Sequence, residues 1–178
     1  MRPSIRAFTL VEMLAVLAIA AVTLGLGLPA LDEAVARHRL RAAASALLDT
    51  LGRARSRAVW HGRDVTVCAS DDGRVCAPSS DWAHGWVTRD GDRYLVDRHA
   101  PLHARLASTR RVGRYAIAFA PNGTSRGTNQ TVVLCLRGRP ATAIAVVIGN
   151  AGLAHRETPD ADEARACARA PSRKRKEA

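Results

Sequence analysis

Glu12 is the residue in this sequence that most needs a chemical explanation. It stands in a run, 8–31, that is otherwise almost entirely apolar. A carboxylate in hydrocarbon costs about 2.5–3.5 kcal/mol, and such residues are retained where a cation meets them. Phe8 lies four residues before Glu12, close to one helical turn. A cut between Ala7 and Phe8 would create an amine there. That amine would neutralise Glu12 of its own chain or of a neighbouring copy. A buried pair of this kind serves assembly and register.

The cysteines are the second chemical signal. Cys68, Cys76, Cys135 and Cys167 contain no Cys-x-x-Cys pair, and no histidine stands at zinc-finger spacing from them. An even number in an exported domain favours disulfides. Cys68–Cys76 and Cys135–Cys167 are the simplest of the three pairings, and free buried thiols are the alternative. His99 and His103 are separated by Pro101, so they share no regular helix face and read as surface residues rather than metal ligands. There is no glycine-rich phosphate loop and no Gly-x-Ser-x-Gly elbow. The expectation is a protein without catalytic residues, cofactor, metal or small-molecule substrate.

The elements that must position these residues begin with a short basic leader, 1–7, carrying Arg2 and Arg6. The run 8–31 would be about 36 Å long as a helix, enough to span a bilayer core, which needs about 20 residues. Its exit, Leu28-Pro29-Ala30, lacks the small-x-small end of a cleaved secretory signal. Gly25, Gly27 and Pro29 weaken the helix there. From 32 to 61, Leu40, Ala44, Leu47, Leu51, Ala54 and Ala58 recur at helical spacing, with Arg37, Arg41, Arg53 and Arg57 on a solvated face.

After Gly62 the period shortens towards two. Strands are expected at 64–70, 85–89, 93–98, 102–106, 114–120, 131–137 and 143–149, with Asp71-Asp72-Gly73 as a turn and hairpin turns at Asp90-Gly91 and Asn122-Gly123. Trp82 and Trp86 read as aromatics at the edge of a core. The domain would end near 156. Residues 157–178 read as a tail, acidic through Glu157, Asp160, Asp162 and Glu163, then basic through Arg173, Lys174, Arg175 and Lys176, and disordered past Cys167.

Two stretches carry a resemblance. Ala7-Phe8-Thr9-Leu10-Val11-Glu12 resembles the prepilin cleavage motif, with Ala7 where that family usually has Gly. The resemblance implies that a prepilin peptidase cuts after Ala7 and N-methylates Phe8, that Glu12 directs assembly, and that Pro29 is the helix-bending proline. Ala54-Arg55-Ser56-Arg57-Ala58, Val65-Thr66-Val67-Cys68, Trp82 with Gly85-Trp86, and Phe119 with Pro121-Asn122-Gly123 follow the order seen in GspH/FimT minor pilins. That implies an α+β, type IV pilin-like fold: a long N-terminal helix, membrane-spanning in its first half, against an antiparallel β domain of two sheets. It also implies an inner-membrane, single-pass protein with a periplasmic domain, assembling with other minor and major (pseudo)pilins in a type II secretion pseudopilus or a type IV pilus.

Charge supplies an alternative. Lys and Arg number 27 against 16 Asp and Glu, a net +11, and basic chains attract phosphate. FimT-type pilins are implicated in DNA capture through Gly-Arg-x-Arg in a C-terminal loop. Here that place reads Gly152-Leu153-Ala154-His155-Arg156, without both motif arginines. A DNA-binding role would therefore fall to Arg156 and the basic run Arg173–Lys176.

Overall fold

The computed structural model describes residues 10–78, 81–91, 94–111 and 115–171, without side-chain placement at 22, 24 and 26–29. The chain divides into two compact units, Met1–Ala36 and Arg37–Ala178. Helix α1 (Leu10–His61) supplies the first and the opening helix of the second.

In the second unit the predicted stripe is the buried one: Leu40, Ala44, Leu47, Leu51, Ala54 and Ala58 are each at most 2% exposed. Alanines at three of these six positions let backbone approach closely, which a core poor in aromatics requires. Eight strands follow: β1 (Val65–Ala69), β2 (Trp86–Asp90), β3 (Tyr94–His99), β4 (Leu106–Arg110), β5 (Ala116–Phe119), β6 (Gln130–Leu136), β7 (Arg139–Ile148) and β8 (Ala154–Glu157). They form two antiparallel sheets, ordered β3-β2-β1-β5 and β4-β6-β7-β8. The Trp86 indole N–H donates to Thr50 Oγ1 on α1, and Arg57 Nε donates to the buried Asp90 at 3.1 Å, so the first sheet runs along the helix. Arg57 is therefore committed to an ion pair rather than to a solvated face.

Several expectations change. The 102–106 segment is a turn, because Leu102 N–H goes to Ala83 O and Leu106 N–H to His103 O; strand β4 starts only at Leu106. Asn122-Gly123 is not a hairpin. It carries the chain from β5 in one sheet to β6 in the other, with Gly123 N–H bonded to Ala120 O. Trp82 and Trp86 lie in the core, 0% and 1% exposed. His99 stacks on Trp86 with ring centroids 3.8 Å apart, so it packs rather than merely lying on the surface.

The largest change is at the C-terminus. Glu157 closes β8, and Ala161–Arg169 form helix α2. Asp160 accepts from Glu163 N–H while Glu163 accepts from Asp160 N–H, a reciprocal cap that satisfies two otherwise orphaned donors. The helix covers the second face of the β4-β6-β7-β8 sheet through a cluster of Ala107, Val133, Cys135, Ala145 and Cys167. Strand β6 is consequently buried at all its positions. Disulfides join Cys68 to Cys76 and Cys135 to Cys167. The second fastens α2 to β6, so ordered chain continues past Cys167.

Candidate functional site

The N-terminal unit presents one kind of surface. Leu10, Val11, Met13, Leu14, Val16, Leu17 and Ile19 of α1 are each between 55% and 77% exposed. With 3.6 residues per turn, these positions point in every direction around the axis. A helix apolar on all sides is stable only where its whole circumference leaves water, in lipid or among other helices. Glu12 lies in the first turn of α1, at an exposed position among these side chains. Among the described residues, no helix is long and apolar enough to cross a membrane. The expected span 8–31 includes Phe8, Thr9 and six side chains that lie outside the described residues. Ala7 and Phe8, the expected cleavage pair, also lie outside them. Pro29 falls within α1, but its side chain is not among those described.

The second unit offers anchoring rather than chemistry. Among the described residues, no group of three or more His, Cys, Asp or Glu is arranged to hold a metal ion. His84 Nδ1 meets Asp71 Oδ1 at 2.9 Å and its Nε2 faces Asp81 Oδ2 at 3.8 Å. The two nitrogens address different carboxylates, so this is a clamp between a loop and a helical turn. An open cleft of about 290 Å³ is lined by Arg53 and Arg57, and these are paired with Asp97 and Asp90.

The expected DNA-contacting residues separate. Arg156 lies on β8 and its guanidinium donates to Ser45 Oγ of α1. Arg173, Lys174, Arg175 and Lys176 lie outside the described residues. Two residues escaped the sequence reading. Arg55 Nε donates to Gly123 O at 3.0 Å and also borders Gly152, so it joins the end of α1 to the corner between the sheets. Its place inside the GspH-like run Ala54–Ala58 was the available signal. Trp60 is 86% exposed; it stands off the stripe of Ala54 and Ala58, which is the pattern that marks a surface position.

A family model described as type II transport protein GspH matches residues 43–152, more than half of the chain. The chain belongs to the GspH family. A second model, the prokaryotic N-terminal methylation motif, matches residues 2–28 of this GspH-family chain. A search of curated proteins finds no match. Among solved structures, the fold is similar to the type IV minor pilin FimU of Pseudomonas aeruginosa. The TM-score is 0.56 and the identity 23%, covering 71% of this chain and 92% of FimU. It is also similar to the minor pseudopilin EpsH from the type 2 secretion system of Vibrio cholerae, with TM-score 0.51 and 15% identity, covering 68% of this chain and 98% of EpsH. This GspH-family chain thus joins a GspH domain to an N-terminal methylation motif and shares its fold with one minor pilin and one minor pseudopilin. The helix α2 and Cys167 lie beyond the residues matched to GspH.

Proposed function

We propose that this protein is a membrane-anchored minor subunit that primes or caps a type II secretion pseudopilus or a type IV pilus. A prepilin peptidase cuts between Ala7 and Phe8 and methylates Phe8. The observation that carries the reading is the apolar, outward-facing circumference of α1 around Glu12, joined to a methylation motif. That surface has to be covered, first by lipid and then by the helices of neighbouring subunits. Glu12 meets the amine of Phe8 and sets the register of that packing. On the resemblance to prepilins the β domain lies in the periplasm, an oxidising compartment in keeping with two disulfides. One minor pilin and one minor pseudopilin among the similar folds support the shared role and leave both machines in play. DNA capture is the weaker reading, because Gly152-Leu153-Ala154-His155-Arg156 lacks both arginines of the Gly-Arg-x-Arg pattern.

The test is the N-terminus of the protein purified from membranes of cells that carry a prepilin peptidase. Mass spectrometry is expected to find N-methylated Phe8 as the first residue. A retained Met1, or a first residue other than Phe8, would remove this reading.

A further inference from the structure

The two ends of the second unit differ in how their charges are partnered. At one end, the turn around Gly152 approaches Arg55 of α1. Strands β6 and β7 have their Gln130 and Ile148 ends there. In the α2 layer the carboxylates collect at that end: Glu163 and Asp160 pair with Arg111, which bonds Thr131 O. Asp162 pairs with Arg165.

The opposite end is built from different chemistry. Arg137 N–H bonds Arg105 O, Gly138 N–H bonds Ala168 O, and the Arg137 guanidinium donates to Ala104 O and Ala170 O at 3.0 and 2.7 Å. These bonds gather the β6–β7 hairpin, the turn before β4 and the C-terminus of α2 into one surface. It bears Arg105, Arg137, Arg139 and Arg169, and the basic run 173–176 follows from it in sequence. The guanidinium of Arg137 donates to neutral carbonyls, which hold its charge in place without cancelling it. The surface lies towards the start of the domain's helix. Arg156 on β8 reaches Ser45, and its partner in β7 is Val146, from which β7 runs back to Arg139. Arg39 and Arg41, both exposed, belong to that end of α1.

We propose that this basic pole docks on the phosphate-bearing headgroups of an anionic bilayer, holding the domain against the membrane until the subunit is assembled. The proposal rests on the anchoring described under Proposed function. Leu31 ends the apolar run and Arg37 begins the domain. Six residues in any conformation reach at most about 22 Å, so in an anchored chain Arg37 lies within that distance of the end of the apolar run. Surface-bound Lys and Arg respond to the negative potential of such a bilayer and lose that attraction within a Debye length.

The test places the full chain in nanodiscs of phosphatidylcholine alone and of phosphatidylcholine with phosphatidylglycerol. Amide hydrogen exchange is then followed at 137–139 and 167–170. The expected result is exchange slower by at least about fivefold in anionic discs, about the effect of one basic residue at the surface. Molar salt and the double variant R139E/R169E, both at exposed positions, are expected to abolish the difference, with β1 unchanged as an internal control. Equal exchange in the two discs overturns the proposal. So does exchange that is indifferent to lipid but slowed by duplex DNA, which would assign the pole to nucleic acid. A chain that inserts in neither disc overturns the anchoring reading and this one together.

Discussion

At Gly152 the backbone has φ +75°, and a Cβ placed there would lie 2.0 Å from the carbonyl oxygen of Gly123. Both facts exclude a side chain, since the left-handed region is strained for L-residues and a carbonyl is not a flexible neighbour. Gly152→Ala is expected to lower the stability of the domain by about 2–3 kcal/mol, read as a lower urea midpoint. An unchanged midpoint would mean that the corner between the sheets yields. Asp72 gives a pH prediction. Its carboxylate accepts N–H bonds from Val75 and Arg74, helped by the Ser70 hydroxyl, and these hold its pKa below the ordinary 3.8. A depressed pKa stabilises the fold above 3.8 and ceases to do so as pH falls through the folded value. Amide protection at Arg74 and Val75, corrected for intrinsic rates, should be full at pH 5 and lost only as pH falls through the folded pKa, below 3.8. Asp72→Ala should remove it at both. Individual residues were legible where their chemistry clashed with their surroundings, as with Glu12. His99 was not, because nothing local announces that a ring thirteen residues after Trp86 in a hairpin partner strand will stack on it.

Among the elements, the long helix and most strands were legible because their apolar periods are strong. Strand β4 was misplaced because Pro101 and Leu102 look like part of an apolar run, while the N–H of Leu102 is spent on Ala83. Strand β8 was missed because Ala-His-Arg-Glu is short and polar, as an edge strand can be. Helix α2 was missed although it had two signals: the capping pair Asp160 and Glu163, and a β6 sequence without polar alternation, which means that both faces are covered. The bridge to α2 closes a longer loop than the first bridge, with separations of 32 and 8 residues. On the loop-entropy account, Cys135→Ser with Cys167→Ser should cost about 4 kcal/mol and Cys68→Ser with Cys76→Ser about 2.5. Chemical unfolding of the two double variants checks the order. A larger loss from the shorter loop would show that native contacts, not chain entropy, set the effect.

For the molecule as a whole, the two units ask for different surroundings. The first unit carries its apolar side chains outward and the second buries them. Glu12→Ala should therefore leave the β domain's stability unchanged and membrane insertion intact, while reducing the protein in sheared filament fractions at least about tenfold. The stranded amine of Phe8 would then face hydrocarbon, where an unpaired charge costs about 2.5–3.5 kcal/mol. Normal filament levels would separate Glu12 from assembly. The whole-molecule reading was largely legible in the order of motifs along the chain, but the layer added beyond residue 152 was not, because it lies outside the pattern that identifies the family. That layer has a consequence in time. A chain emerging from the ribosome yields Cys76 soon after Cys68, so the first bridge has its partner at once. Cys135 emerges 32 residues ahead of Cys167. Until then it waits as a bare thiol on an uncovered sheet, exposed to mispairing with the earlier cysteines.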